Sequence, residues 1–254
     1  MSFFIGGLMG AATWVFRPGV LPMLMQQDPR LWVLGIASLF GYHFIYFTAI
    51  RNAPPVEVSL IAYLWPLFLV VFSAFLPGEK LRVHHIMGVA LGLMGAVLVI
   101  TRGQGVGLSE GLKLGHVLAL PCAVIWAGYS VLARRFGHVP TDVVTGFCLA
   151  AALLSLGSHL LFEQTAWPRN SVEWLAVAGL GLLPLGAAFY TWDFGLKHGD
   201  IMVLGASSYA APLLSTLVLL VFGYAEFHWS IALACALITA GAVLAAKEMI
   251  FSKS

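Results

Sequence analysis

The stretch VEVSLIAYLWPLFLVVFSAFL, residues 56–76, decides the fold. Its one charge is Glu57, at the start, and nothing from Val58 to Leu76 is ionised. A run of about 20 apolar residues, rising 1.5 Å per residue, crosses the hydrocarbon core of a bilayer. Yet its centre reads Ile61-Ala62-Tyr63-Leu64-Trp65-Pro66. A phenol, an indole and a proline stand where leucine would pack more simply. SSYAAP at 207–212 repeats the tyrosine and proline at the same spacing, Tyr209 and Pro212.

The surroundings give this stretch its meaning. Of the 254 residues, 60% are hydrophobic and 9% charged, against about 25% charged in soluble domains. So little charge cannot cover a globular surface. Similar apolar runs recur at roughly 3–16 (short), 31–50, 56–76, 84–101, 112–133, 141–162, 172–195, 201–222 and 229–249. These predict an all-α integral membrane protein with nine spans. Prolines 18, 29, 54, 55, 77, 140 and 168 punctuate the gaps. Cys122, Cys148 and Cys235 all fall inside spans, with neither a disulfide framework nor metal-ligand spacing. No cofactor, metal or nucleic-acid partner is expected. MSFFIGG at the start lacks the basic segment of a signal peptide.

Charge placement orients the chain. Arg17, Arg30, Lys80, Arg82, Arg134, Arg135, Lys197, Lys247 and Lys253 collect on one side; Arg51, Arg102, Lys113 and Arg169 collect on the other. The positive-inside rule puts the richer side, and the C-terminus with it, in the cytoplasm.

Shifting the sequence by 146 residues carries Tyr63 onto Tyr209, Pro66 onto Pro212, Arg51 onto Lys197 and GAVL at 95–98 onto GAVL at 241–244. The expected plan is therefore a five-helix unit used twice: residues 1–102 hold helices 2–5 and residues 103–254 hold helices 6–10. The partner of span 112–133 would fall before residue 1, so the first helix is read as missing. An odd helix count per unit inverts the second copy. Inverted repeats place a substrate site near the midplane between them.

Candidate site residues are the amphipathic rings at depth, each with an apolar body and one polar handle. Tyr42 and Tyr46 share a helical face with His43 beside them. Tyr63 and Trp65 sit in the decisive stretch, Trp126 and Tyr129 share a face of 112–133, and Tyr190 and Tyr209 lie in the second half. A lone membrane tyrosine usually packs or anchors, but one recurring beside proline at the repeat position is harder to read that way. His43 suits either a substrate contact or a hydrogen-bond partner for tyrosine. Pro66 and Pro212 are expected to kink their helices and to serve as paired bends in gating. No Lys, Arg, Asp or Glu lies mid-span, which argues against phosphorylated substrates. Asp193 stands near Lys197 and is expected to pair with it.

VEVSLIAYLWPLFLVVFSAFLPGEK, AVIWAGYSVLARRF and TWDFGLKHGDIMVLGASSYAAPLLS resemble the EamA branch of the drug/metabolite transporter superfamily, and within it the bacterial aromatic amino acid exporters. The resemblance implies ten helices, a bacterial inner-membrane location and export by alternating access through a central cavity. By motif it points to Tyr63, Trp65, Trp126, Tyr129, Tyr209 and Pro212. The expected partners are lipid and a small aromatic or neutral amino acid, with the chain acting as a monomer. The rival readings are a transporter of another metabolite class, such as drugs or nucleotide-sugars, and a membrane-embedded enzyme. The enzyme reading lacks any H-E-x-x-H, G-x-S-x-G or paired deep carboxylates.

Overall fold

A computed structural model describes residues 1–17, 19–78, 80–103, 111–223 and 226–247. Pro18 and Lys253, used above, lie outside the described residues. Among the described residues all regular structure is helical: α1 (Ser2–Trp14), α2 (Val20–Met25), α3 (Pro29–Asn52), α4 (Pro55–Ala62), α5 (Trp65–Ser73), α6 (Val83–Thr101), α7 (Leu114–Arg134), α8 (Val143–Phe162), α9 (Ser171–Leu182), α10 (Ala188–His198), α11 (Ile201–Ser207), α12 (Ala210–Val221) and α13 (Trp229–Ala245). Seven helical stretches are long and apolar enough to cross a membrane; α1 and α13 are apolar but shorter. The apolar helices fall where the hydropathy pattern put them. The small helix α2 was not anticipated. It starts at Gly19, whose φ of 100° suits a residue without a Cβ.

The chain forms two compact units, one from Met1–Phe44 with Leu132–Gly199 and the other from Ile45–Val131 with Asp200–Ser254. In the first, α1 lies along α8, with Gly7 facing Leu149 and Gly10 facing Thr145 and Tyr190. The α1 glycines let backbones approach closely, as membrane helices require. Asp193 and Lys197 pair at 2.6 Å with both side chains nearly fully buried. A buried pair is tolerable only when its remaining donors and acceptors are satisfied. Here Thr141 donates to Asp193 at 2.7 Å and Lys197 to the Val139 carbonyl at 2.9 Å. Between α9 and α10, Leu183–Ala187 forms a π-helical turn. The hydropathy reading had no break here. Pro184 supplies no N–H, and a widened turn absorbs the gap.

In the second unit α6 and α13 pack as its largest helix pair. A Cβ on Gly88 would meet the Gly241 carbonyl and Ala245, and one on Gly95 would meet Ile238 and the Ala234 carbonyl. As numbers rise along α6 they fall along α13, so the two helices run antiparallel. Two other apolar runs of this unit are broken at a tyrosine. Tyr63 and Leu64 form a turn between α4 and α5; Ser208 and Tyr209 form one between α11 and α12. Each break lies one turn before a proline. Pro66 cannot donate to Ala62, nor Pro212 to Ser208, and each ring crowds that carbonyl. Pro121 sits inside the continuous helix α7, so proline alone does not dictate a break.

Candidate substrate site

In the second unit, the α4/α5 break makes Trp65 the first residue of a new helix. Its indole meets Trp126 of α7 edge-on, with centroids 6.4 Å apart and planes at 90°. Trp126 lies over Tyr129 at 5.4 Å. Edge-to-face rings at this separation match the ring quadrupole. Tyr46 of α3 shares a 3.1 Å hydrogen bond with Ser59 of α4, and Tyr63 lies within electrostatic reach of Tyr46. Tyr63, Trp65 and Trp126 are half-buried, whereas Tyr129 is 4% exposed. Five anticipated residues therefore gather on α3, α4, α5 and α7. Together they form an aromatic cluster that carries hydroxyl and indole N–H groups.

Tyr209 belongs to the same unit and differs from them. It is fully buried, its ring lies against Gly92, and its hydroxyl makes no hydrogen bond of full geometry. Pro66 and Pro212 are also buried.

In the first unit, His43 donates Nδ1–H to the Leu39 carbonyl at 2.8 Å, because a carbonyl can only accept. In a neutral ring Nε2 is then the acceptor nitrogen. Phe3, Tyr42 and Phe189 present ring contacts to it at 4.9, 5.0 and 6.1 Å. The Tyr190 hydroxyl bonds Thr145 at 2.9 Å and donates to the Gly6 carbonyl at 3.2 Å. Tyr190 borders a cavity of about 270 Å³ with Met9, Gly10, Thr13, Arg17, Thr141, Asp142 and Thr145. Arg17 and Asp142 close a two-pronged ion pair there at 2.8 and 3.0 Å.

Hydropathy reasoning missed one deep polar pair. His116 of α7 donates Nε2–H to Glu57 of α4 at 2.6 Å, and its side chain is 2% exposed. The signal was Lys113-x-x-His116 at a helix start, where a side chain reaches back to a backbone N–H. No cluster of three or more His, Cys, Asp or Glu suited to a metal occurs among the described residues.

Membrane-length helices, two of them broken beside buried prolines, mark a multi-pass membrane protein. The chain belongs to the EamA-like transporter family, which matches residues 1–101 and 113–247. It is a membrane transporter and not an enzyme. It is 53% identical over 246 residues, 96% of this chain and 85% of the relative, to the aromatic amino acid exporter YddG of Ancylobacter novellus. The exporter of the same name from Salmonella typhimurium is 25% identical over 80% of this chain and 71% of its own length. A solved crystal structure superposes with a TM-score of 0.89 at 52% identity, covering 96% of this chain and 85% of that one.

Proposed function

We propose that this chain exports aromatic amino acids and related neutral metabolites across a bacterial inner membrane by alternating access, with its C-terminus in the cytoplasm. The observation that carries the reading is the ring cluster at the α4/α5 break, Trp65 on Trp126 on Tyr129. The half-buried indoles there stack a substrate ring. Tyrosine hydroxyls suit a carboxylate and an ammonium without a fixed counter-charge. The names of the two relatives point the same way.

The architecture in this reading is two inverted repeats, with helices 2–5 of the first within 1–102 and helices 6–10 within 103–254. Two features support it. The breaks at Tyr63 and Tyr209 are related by the 146-residue offset. The same offset relates Gly88 to Ala234 and Gly95 to Gly241. The contacts Gly88–Gly241 and Gly95–Ala234 are then one contact made twice, as across a two-fold axis. Because the helices are antiparallel, that axis lies across them, as an inverted repeat requires. Within the second unit Tyr46, Tyr63, Trp65, Trp126 and Tyr129 are its substrate-path residues and Pro66 and Pro212 its bends, while Tyr209, sealed against Gly92, is scaffold. The protein works as a monomer.

The test is counterflow in proteoliposomes. Vesicles loaded with unlabelled phenylalanine should accumulate labelled phenylalanine and tryptophan but neither lysine nor a sugar phosphate. Absence of phenylalanine counterflow would remove the substrate assignment.

A further inference from the structure

We propose that Glu57 and His116 are positioning residues: their bond holds α4 in register with α7 and so sets the Trp65–Trp126 contact. The hydrogen bonds fix the form of the ring. Its Nδ1 accepts the Lys113 backbone N–H at 2.9 Å, so the neutral ring carries its proton on Nε2 and donates it to Glu57 at 2.6 Å. The ring is thus held from both sides. The start of α7 is itself seated, because Gly115 lies against the Ala49 carbonyl and Ala53 at the end of α3.

By contrast, α4 is short, eight residues between Pro54 and the break at Tyr63. A helix of two turns does not hold its own position. Beside a light contact with α6, three groups of contacts fix it. Glu57–His116 ties its first turn. Val58 enters a core with Ala49, Ala53 and Ala119, flanked by Ile61 and Leu118. Ser59 meets Tyr46. Glu57 meets His116, Val58 shares a core with Ala119, and Trp65 meets Trp126 further along both segments. The polar pair and the indole pair are two rungs of one ladder, with the apolar core of Ala49, Ala53, Val58 and Ala119 between. Apolar packing has no preferred direction, so the directional bond at one end governs register at the other. A hydrogen bond from a ring N–H to a carboxylate is short and geometrically demanding.

The inference rests on the proposed substrate only for its transport readout. The test uses the full-length protein. The tryptophan exciton band in circular dichroism, taken as wild type minus Trp65→Phe, reports the indole pair without any substrate. Glu57→Ala and His116→Ala should each abolish most of that difference band. Each should also raise the KM for phenylalanine about tenfold while Vmax holds within about twofold. The double variant should be no worse than either single one, since both remove the same bond. Glu57→Gln should keep the band and the KM, because its amide oxygen still accepts from Nε2–H. Should the alanine variants fail to fold, Glu57→Asp, one methylene shorter, should weaken the band. An unchanged band in Glu57→Ala, His116→Ala or Glu57→Asp, or a Glu57→Gln protein as impaired as Glu57→Ala, overturns the proposal. If wild type moves no phenylalanine, the substrate reading falls and the band still decides the positioning role.

Discussion

Tyr63 and Tyr209 occupy the same backbone device and opposite surroundings. Each sits in a turn that interrupts an apolar helix, three residues before a buried proline. Tyr63 is half-buried beside a surface of indoles, whereas Tyr209 is sealed against Gly92. The helices explain the difference. α11 packs against both α6 and α13, while α4 touches α6 only lightly. Gly92 leaves a slot that the Tyr209 ring fills. The residue at the offset position is Ile238, whose own side chain lies against Gly95. A repeated motif thus sets where the chain bends. The residue opposite it sets whether the ring is wall or wedge.

The largest effect should come from the wall. Trp65→Ala and Trp126→Ala each remove a stacking face and should cut kcat/KM for phenylalanine tenfold or more, about 1.4 kcal/mol and upward. Stability should change far less, since both rings are half-buried. Initial-rate transport beside a melting curve checks this. If flux survives both substitutions, the Tyr63 break is scaffold as the Tyr209 break is, and the contrast disappears.

Next comes the wedge. A Cβ at Gly92 would lie 2.6 Å from the Tyr209 ring and 3.2 Å from its Cβ. Gly92→Ala should therefore cost about 1–3 kcal/mol by overpacking, read as a fall in melting temperature in detergent. Tyr209→Leu in the same chain should recover most of that loss. If it does not, the two residues are uncoupled and the slot is not what buries Tyr209.

The bends and the apolar helices were legible because each depends on local chemistry. Length and hydropathy mark a span, and a proline that cannot donate marks a break. Lys197 and Asp193 were legible too, being one helical turn apart. Burial was not, because it depends on a partner distant in sequence. Nothing within the Tyr209 segment says that a glycine far up the chain opens a slot for its ring. Glu57 and His116 were missed for the same reason: 59 residues separate them, and each alone reads as an ordinary residue of a helix start. The π-helical turn at Pro184 was missed because Pro121 shows that a membrane helix can absorb a proline.

The smallest effect separates the two tyrosines by a single oxygen. At Tyr209 the hydroxyl is buried, with the Leu67 backbone near it but no hydrogen bond of full geometry, so folding strips its water and returns little. Tyr209→Phe should leave stability unchanged or raise it by about 1 kcal/mol, with transport intact. Tyr63 is half-buried beside the proposed path and has Tyr46 as its neighbour. Tyr63→Phe should leave melting unchanged and raise the KM for phenylalanine a few-fold, about 0.5–1.5 kcal/mol for one hydrogen bond. Paired melting and uptake curves on the two variants read the difference directly. The opposite pattern, a stability loss at Tyr209 or a silent Tyr63, would mean that the hydroxyls had been assigned to the wrong breaks. The residue opposite each tyrosine would then no longer account for its role.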